Sequence, residues 1–277
     1  MIDHVCVLGA GYTGRAVAEQ ARARGLRLDL TVRSDERRAA LERAGFTVHQ
    51  AAELDADRIA RWLTPSTLVV IAFPPDGHTD QRIAQALSRA ASVRYVSSTG
   101  VYPRRTIEDG PTQLVDDTTE VSSAPDPMHA AFLQAEAAYR AIGATVLRSP
   151  AIYGRDRGLH RRVIAGKHTI AGDGANVLSR IHVEDLATLL LARPEIRGET
   201  FVVGDGGRET QAEVIAWICN EHAVPTPPSV PAAQAPPSLR GHRVIDPSRA
   251  LTTLGVTLRW PSFREGMARI ASQTTAD

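Results

Sequence analysis

The run Val5-Cys6-Val7-Leu8-Gly9-Ala10-Gly11-Tyr12-Thr13-Gly14 constrains this chain more than any other stretch. Its apolar start reads as a short buried strand. Three glycines follow at G-x-G-x-x-G spacing, and Arg15 to Ala21 then continues at helical period. Strand, glycine turn and helix form the context in which this spacing acts as a phosphate cradle. Gly9 permits the sharp turn, Gly11 lets a pyrophosphate approach the backbone, and Gly14 allows close packing of helix on strand. The helix N-terminus then offers N–H groups and a partial positive charge to the phosphates. This context weighs against a bare glycine turn and for dinucleotide binding, with Tyr12 and Thr13 inside the cradle.

The second strand signal, Leu26 to Val32, ends in Arg33-Ser34. An acidic residue at this point would bind the ribose 2′-hydroxyl, whereas arginine suits a 2′-phosphate. Arg33 therefore favours NADP over NAD, with Arg37 and Arg38 as candidate helpers; Asp29 lies too early in the strand to read the ribose. Further strands are expected at Phe46–Gln50, Thr67–Phe73 and Val93–Val96, and helices at 57–63 and 80–90. The apolar run at 67–73 suits a central parallel strand covered on both faces, and it breaks at Pro74-Pro75-Asp76-Gly77. Sustained alternation of strand and helix predicts a doubly wound parallel α/β sheet of the Rossmann type.

The chain has 277 residues and a net charge of +1, which gives no reason to expect nucleic acid or an anionic membrane as partner. Its two cysteines, Cys6 and Cys219, suggest neither a disulfide framework nor a zinc site. With no leader-like or membrane-length apolar run, a cytoplasmic protein acting on a small molecule, as monomer or homodimer, is the default expectation. The only lysine is Lys167.

Four later segments carry a resemblance. The strand closing in Ser97-Ser98-Thr99-Gly100-Val101-Tyr102, the run Arg148 to Gly154, the segment Arg180 to Ala187 and the strand Phe201 to Gly206 occur in that order. Together they resemble the extended and atypical short-chain dehydrogenase/reductases, the NAD(P)-dependent epimerase/dehydratase-like proteins. Leu254-Gly255 and Trp260 to Gly266 resemble that family's closing strand and helix. The resemblance implies a cofactor wall that adds Phe73, Pro74, Ser97, Pro150 and Ile152 to the glycines. It also implies Ser98 as the hydroxyl that meets a substrate carbonyl, with Thr99 and Tyr102 beside it.

The family's Tyr-x-x-x-Lys pair is missing. Tyrosinate acts there as general acid/base and lysine lowers its pKa. Aligned on Glu136, Met128 stands in the tyrosine slot and Phe132 in the lysine slot. His129 adjoins the vacant slot, and imidazole as a side-chain type suits proton transfer, though one helical step turns a side chain by roughly 100° and solvent is the alternative destination. Asp126 is a candidate helix cap. Tyr153 and His182 are the other proton-handling candidates.

Residues 106–127 are polar and lack periodicity, so they read as a long loop on the substrate side. Asp116, Asp117 and Glu120 read as a solvated acidic face. A basic helix at 158–165, a helix at 211–222 capped by Thr210, a proline-rich connector at 225–237 and a short strand at 240–245 complete a smaller lobe. Tyr153, Arg155, Arg180, His182 and Arg243 are its candidate substrate ligands. Leu178 stands where nucleotide-sugar enzymes carry a diphosphate-binding arginine. The expected division is a nucleotide-binding domain of residues 1–150, taking in about 181–203, and a substrate lobe of 151–180 and 204–277. The leading expectation is NADP-dependent hydride transfer to or from a carbonyl or imine of a small metabolite. An epimerase or isomerase, and a catalytically silent NADP-binding regulator, are the alternatives.

Overall fold

The computed structural model describes residues 1–274, with side chains through residue 268. In chain order the nucleotide half contains β1 (His4–Leu8), α1 (Tyr12–Ala23), β2 (Arg27–Val32), α2 (Asp35–Arg43), β3 (Val48–Gln50) and α3 (Ala56–Ala60). It continues with β4 (Thr67–Ile71), α4 (Thr79–Leu87), β5 (Ser92–Ser98), β6 (Gln113–Val115), α5 (Pro127–Arg140) and β7 (Thr145–Ser149). Then come β8 (Ala151–Tyr153), α6 (Leu159–Ile164), β9 (Ile170–Ala171), β10 (Arg180–His182), α7 (Val183–Leu191) and β11 (Thr200–Val202). The chain finishes with α8 (Gln211–His222), β12 (Ser229–Val230), β13 (Arg243–Ile245), α9 (Ser248–Leu254) and α10 (Phe263–Thr274).

Seven strands form one sheet in the order β11-β7-β5-β4-β1-β2-β3, and every pairing in it is parallel. Side chains alternate across the pleat. Val5 and Val7 of β1 therefore join Val17, Ala21, Leu186 and Leu190, from α1 and α7, in one core layer. Cys6 and Leu8 join Ile59, Ile83 and Tyr139, from α3, α4 and α5, on the other face. Strand order reverses between β1 and β4. Loops leaving the carboxyl ends of strands diverge at such a point and leave a crevice for a ligand.

The lobe carries three small parallel pairs, β8–β10, β9–β12 and β6–β13. Two of them alter the sequence expectation. The loop expected at 106–127 contains β6, held by β13 through the register Gln113–Arg243 to Val115–Ile245. The proline-rich connector supplies β12 as the partner of β9. No closing strand forms around 254–262: Gly255 sits at φ 63° as the left-handed cap of α9, and α10 begins at Phe263. The acidic face at 116–120 is partly interior, since Asp117 accepts from the Val202 amide at 2.6 Å and pairs with Arg249 at 3.6 Å. The last residues of the expected lobe, 275–277, lie outside the described residues.

Candidate functional site

The glycine cradle has two kinds of constraint. Gly9 sits at φ 91°, and a Cβ there would lie 2.8 Å from Phe73; at Gly14 a Cβ would lie 2.4 Å from the Gly9 carbonyl oxygen. Both positions are closed by the protein itself. Gly11 differs: a Cβ at that position would meet nothing nearer than Arg37 Nη1, at 3.5 Å. Packing within the chain does not demand glycine at position 11, whereas a ligand lying on the backbone would. Gly11 also caps α1 without any side-chain acceptor, and the first turn of α1 holds no acidic residue, so the positive helix end is left for an anion.

A cavity of about 520 Å³ opens over this cradle, lined among others by Gly9, Gly11, Arg33, Arg37, Phe73 and Pro74. It runs along the ends of β1, β2 and β4, where the strand order reverses. Arg33 stands at the end of β2 facing it, and Arg37 joins from α2. Arg38 is turned away, paired with Asp35 at 3.3 Å and Glu42 at 3.1 Å. Asp29 is occupied elsewhere, bridging His4 at 3.0 Å and His49 at 2.6 Å. A pyrophosphate and two apolar walls thus find matching groups, with two arginines beside them, and the residues fit a nicotinamide dinucleotide.

Beyond the cradle, β5 ends in Ser98, whose Oγ accepts from the Gly100 amide at 3.0 Å. That bond leaves the hydroxyl hydrogen free to donate. The next turn is roofed by α5. Asp126 caps that helix, accepting from the His129 amide at 3.1 Å through Oδ1 and meeting His129 Nδ1 at 2.8 Å through Oδ2. The His129 ring lies against Gly100, where a Cβ would fall 1.8 Å from Nε2. Its side chain is 14% exposed, whereas Met128 is 68% exposed. His129, and not the residue aligned with the family tyrosine, therefore faces the strand end. Phe132 packs among Val101, Tyr102 and Val115.

Other sequence candidates are placed differently. Tyr102 is buried, and its hydroxyl accepts from Arg148 Nη1 at 3.0 Å. Ser97 donates to Glu136 at 2.6 Å, and Glu136 is gripped by Arg148 at 2.8 and 3.0 Å. This buried knot ties β5, α5 and β7 together beneath the site. Thr99 is buried but offers its carbonyl to Arg243 Nη1 at 2.5 Å. Pro150 and Ile152 lie half-buried on the link from β7 into β8. Tyr153 is buried, and its hydroxyl donates weakly to the Ser262 carbonyl at 3.5 Å. His182 caps α7 by accepting from Glu184 N, and packs between Tyr153 and Trp260. Burial pulls its pKa down to about 4, so the ring is neutral at physiological pH. Arg180 is interior, donating to the Leu178 carbonyl at 2.8 Å and lying 3.7 Å from Glu209. Arg155 and Tyr12 line a second cavity of about 530 Å³ with Arg15, His182 and Trp260.

Sequence reading missed Asp126 as the partner of the His129 ring and Arg104 as a neighbour of Arg243. The D-x-x-H spacing at the start of α5 carried a signal for the first. Nothing local marks Arg104.

A family model described as NAD(P)H-binding matches residues 9–194. A 3-diazoavenalumate denitrifying reductase from a Streptomyces species is 32% identical over 181 residues, 58% of this chain and 60% of that relative. The match thus spans less than two thirds of the relative's length. A conserved protein of unknown function from Silicibacter pomeroyi superposes with a TM-score of 0.81 at 26% identity, covering 98% of this chain and 99% of that one. A human epimerase family protein solved with NADPH superposes at 0.75 with 19% identity, over 97% and 99% of the two chains. Neighbours sharing the fold carry NAD or NADPH.

Proposed function

Because the chain belongs to the NAD(P)H-binding family, with epimerase/dehydratase-like neighbours of the short-chain dehydrogenase/reductase type, we propose that it is an NADP-dependent reductase of a small carbonyl or imine compound. The observation that carries this reading is the convergence at one sheet edge. An open cradle at Gly11 with Arg33 beside it lies at the ends of β1, β2 and β4, and β5, paired with β4, ends in Ser98, with His129 of α5 against the following turn.

The roles follow from the donors available. Gly9, Gly11 and the start of α1 hold the pyrophosphate, and Arg33 with Arg37 binds the 2′-phosphate. Phe73 and Pro74 wall the cavity. A reduced nicotinamide, when bound, supplies the hydride. Ser98 donates its free hydroxyl hydrogen to the substrate oxygen and fixes its orientation. Asp126 meets Nδ1 of His129 at 2.8 Å and holds the ring in place, which leaves Nε2 as the nitrogen to pass a proton to the developing alkoxide. This is the logic of a carboxylate orienting a catalytic imidazole. His129 thereby replaces the acid of the absent tyrosine.

A second reading is favoured by Met128 and Phe132. The denitrifying reductase relative is named for a diazo substrate. Hydride addition at a diazonium carbon breaks the C–N bond, and the bonding pair leaves with neutral dinitrogen. That reaction consumes no proton from the protein, so a site without the Tyr and Lys pair suffers no loss.

Consumption of NADPH against a panel of aldehydes, ketones and an aryl diazonium tests both readings. Under the first, His129→Ala lowers carbonyl turnover by roughly 10²–10⁴-fold, and Ser98→Ala lowers it as well. Under the second, diazonium turnover is unchanged in His129→Ala. NADPH consumption indifferent to both substitutions for carbonyls overturns the first reading.

A further inference from the structure

Arg243 is the group the foregoing roles leave unexplained. It enters the site from β13, and its Nη1 donates to the Thr99 carbonyl one residue beyond Ser98. No carboxylate lies within ion-pair distance of it among the described residues, and its Nε and Nη2 make no hydrogen bond there. Burial, with the nearby charge of Arg104, pulls its pKa down to about 10. The guanidinium remains charged at neutral pH, so this is a half-buried cation with no counter-ion among the described residues. Such a charge is costly unless paired.

Arg104 adds to the imbalance. Its segment is held against β13, since His242 N donates to the Arg105 carbonyl at 2.9 Å. Its one close acidic neighbour among the described residues is Asp126, at a loose 3.9 Å, and that carboxylate is already engaged by His129. Arg243 thus has no carboxylate partner and Arg104 only this loose one, which leaves uncompensated positive charge beside the end of β5 among the described residues.

We propose that Arg243, assisted by Arg104, binds a carboxylate of the substrate, so that the substrate is a monoanion whose acid group lies close to the reacting centre. One unpaired guanidinium suits a carboxylate better than a phosphate monoester or diphosphate, which would call for further cations. Leu178, where a diphosphate-binding arginine would stand, is packed with Ala171, Ala235 and Leu239 and offers no cation. A planar, forked guanidinium with two donors open also suits bidentate carboxylate binding. The inference rests on reading this cleft as the substrate end of the nicotinamide site, but its test is a binding measurement independent of turnover.

The probe pair is benzoate and uncharged benzamide, titrated calorimetrically against the full chain with and without NADPH. NADPH affinity is measured separately for every variant. Wild type is expected to bind benzoate at least about tenfold more tightly than benzamide. Arg243→Met removes that preference, Arg243→Lys retains part of it, and Arg104→Gln weakens it by a few-fold, all with NADPH affinity unchanged. Equal binding of benzoate and benzamide by wild type overturns the proposal, as does a preference that survives in Arg243→Met. Inorganic phosphate binding more tightly than benzoate contradicts the carboxylate assignment. A chain that fails to bind NADPH yet prefers benzoate refutes the proposed function while leaving the Arg243 site standing.

Discussion

Asp205 shows how one side chain can work against the fold. Its Oδ1 accepts from Gly207 N at 2.9 Å, while its buried Oδ2 has no partner. Burial raises its pKa to about 6 despite Arg180 nearby. The folded state therefore holds this proton more tightly than the unfolded chain does. Stability is lost as pH rises from the unfolded pKa near 3.8 through the folded value of about 6. Asp205→Asn keeps the acceptor and removes the charge. It is expected to stabilise the protein by about 1–3 kcal/mol near neutral pH and by almost nothing near pH 4. Chemical denaturation of both forms across that range checks it; equal stability at neutral pH would refute the assignment. The sequence placed Asp205 on a strand resembling a family motif but held no sign of its burial. His129 was similarly half-legible. Its type and helical position could be read, but which of residues 128 and 129 faces β5 depends on how α5 docks.

At the scale of elements, α1 and its cradle were legible because their constraints are local: an apolar strand, three glycines and a helix. β4 was legible for the same reason, as a continuous buried run. β6, β9 and β12 were harder, since strands of two or three residues have no period to read; β13 was expected at 240–245 through the family resemblance alone. Their partners lie far along the chain: β6 needs β13, and β9 needs β12. The Glu136–Arg148 knot that ties α5 to the sheet escaped for the same reason. The cradle also separates packing from binding. Gly14→Ala forces a Cβ against the Gly9 carbonyl and Val7, whereas Gly11→Ala meets nothing closer than Arg37. Gly14→Ala is expected to lose about 1–3 kcal/mol of stability. Gly11→Ala should unfold as wild type does but bind NADPH at least about tenfold more weakly. Parallel denaturation and NADPH titration of the two variants decide it, and a Gly11→Ala protein that binds normally would remove the pyrophosphate from the cradle.

Across the whole molecule, the sheet order puts the ends of β1, β2 and β4 around one cavity, and β5 pairs with β4 beside it. No helix among the described residues is long and apolar enough to cross a membrane. A ligand bound only by the folded chain stabilises it by mass action, about 2.7 kcal/mol at a hundredfold excess over Kd, so cofactor choice is readable in binding and melting alike. The proposed preference for NADP depends on Arg33 reading a 2′-phosphate. Charge-assisted hydrogen bonds of this kind contribute about 1.5–3 kcal/mol. The most direct measurement is a fluorescence titration of wild type and Arg33→Ala with NADPH and NADH. Wild type should bind NADPH roughly 10- to 100-fold more tightly, and Arg33→Ala should bring the two affinities close together by weakening NADPH alone. Equal binding by wild type, or a preference for NADH, would contradict it.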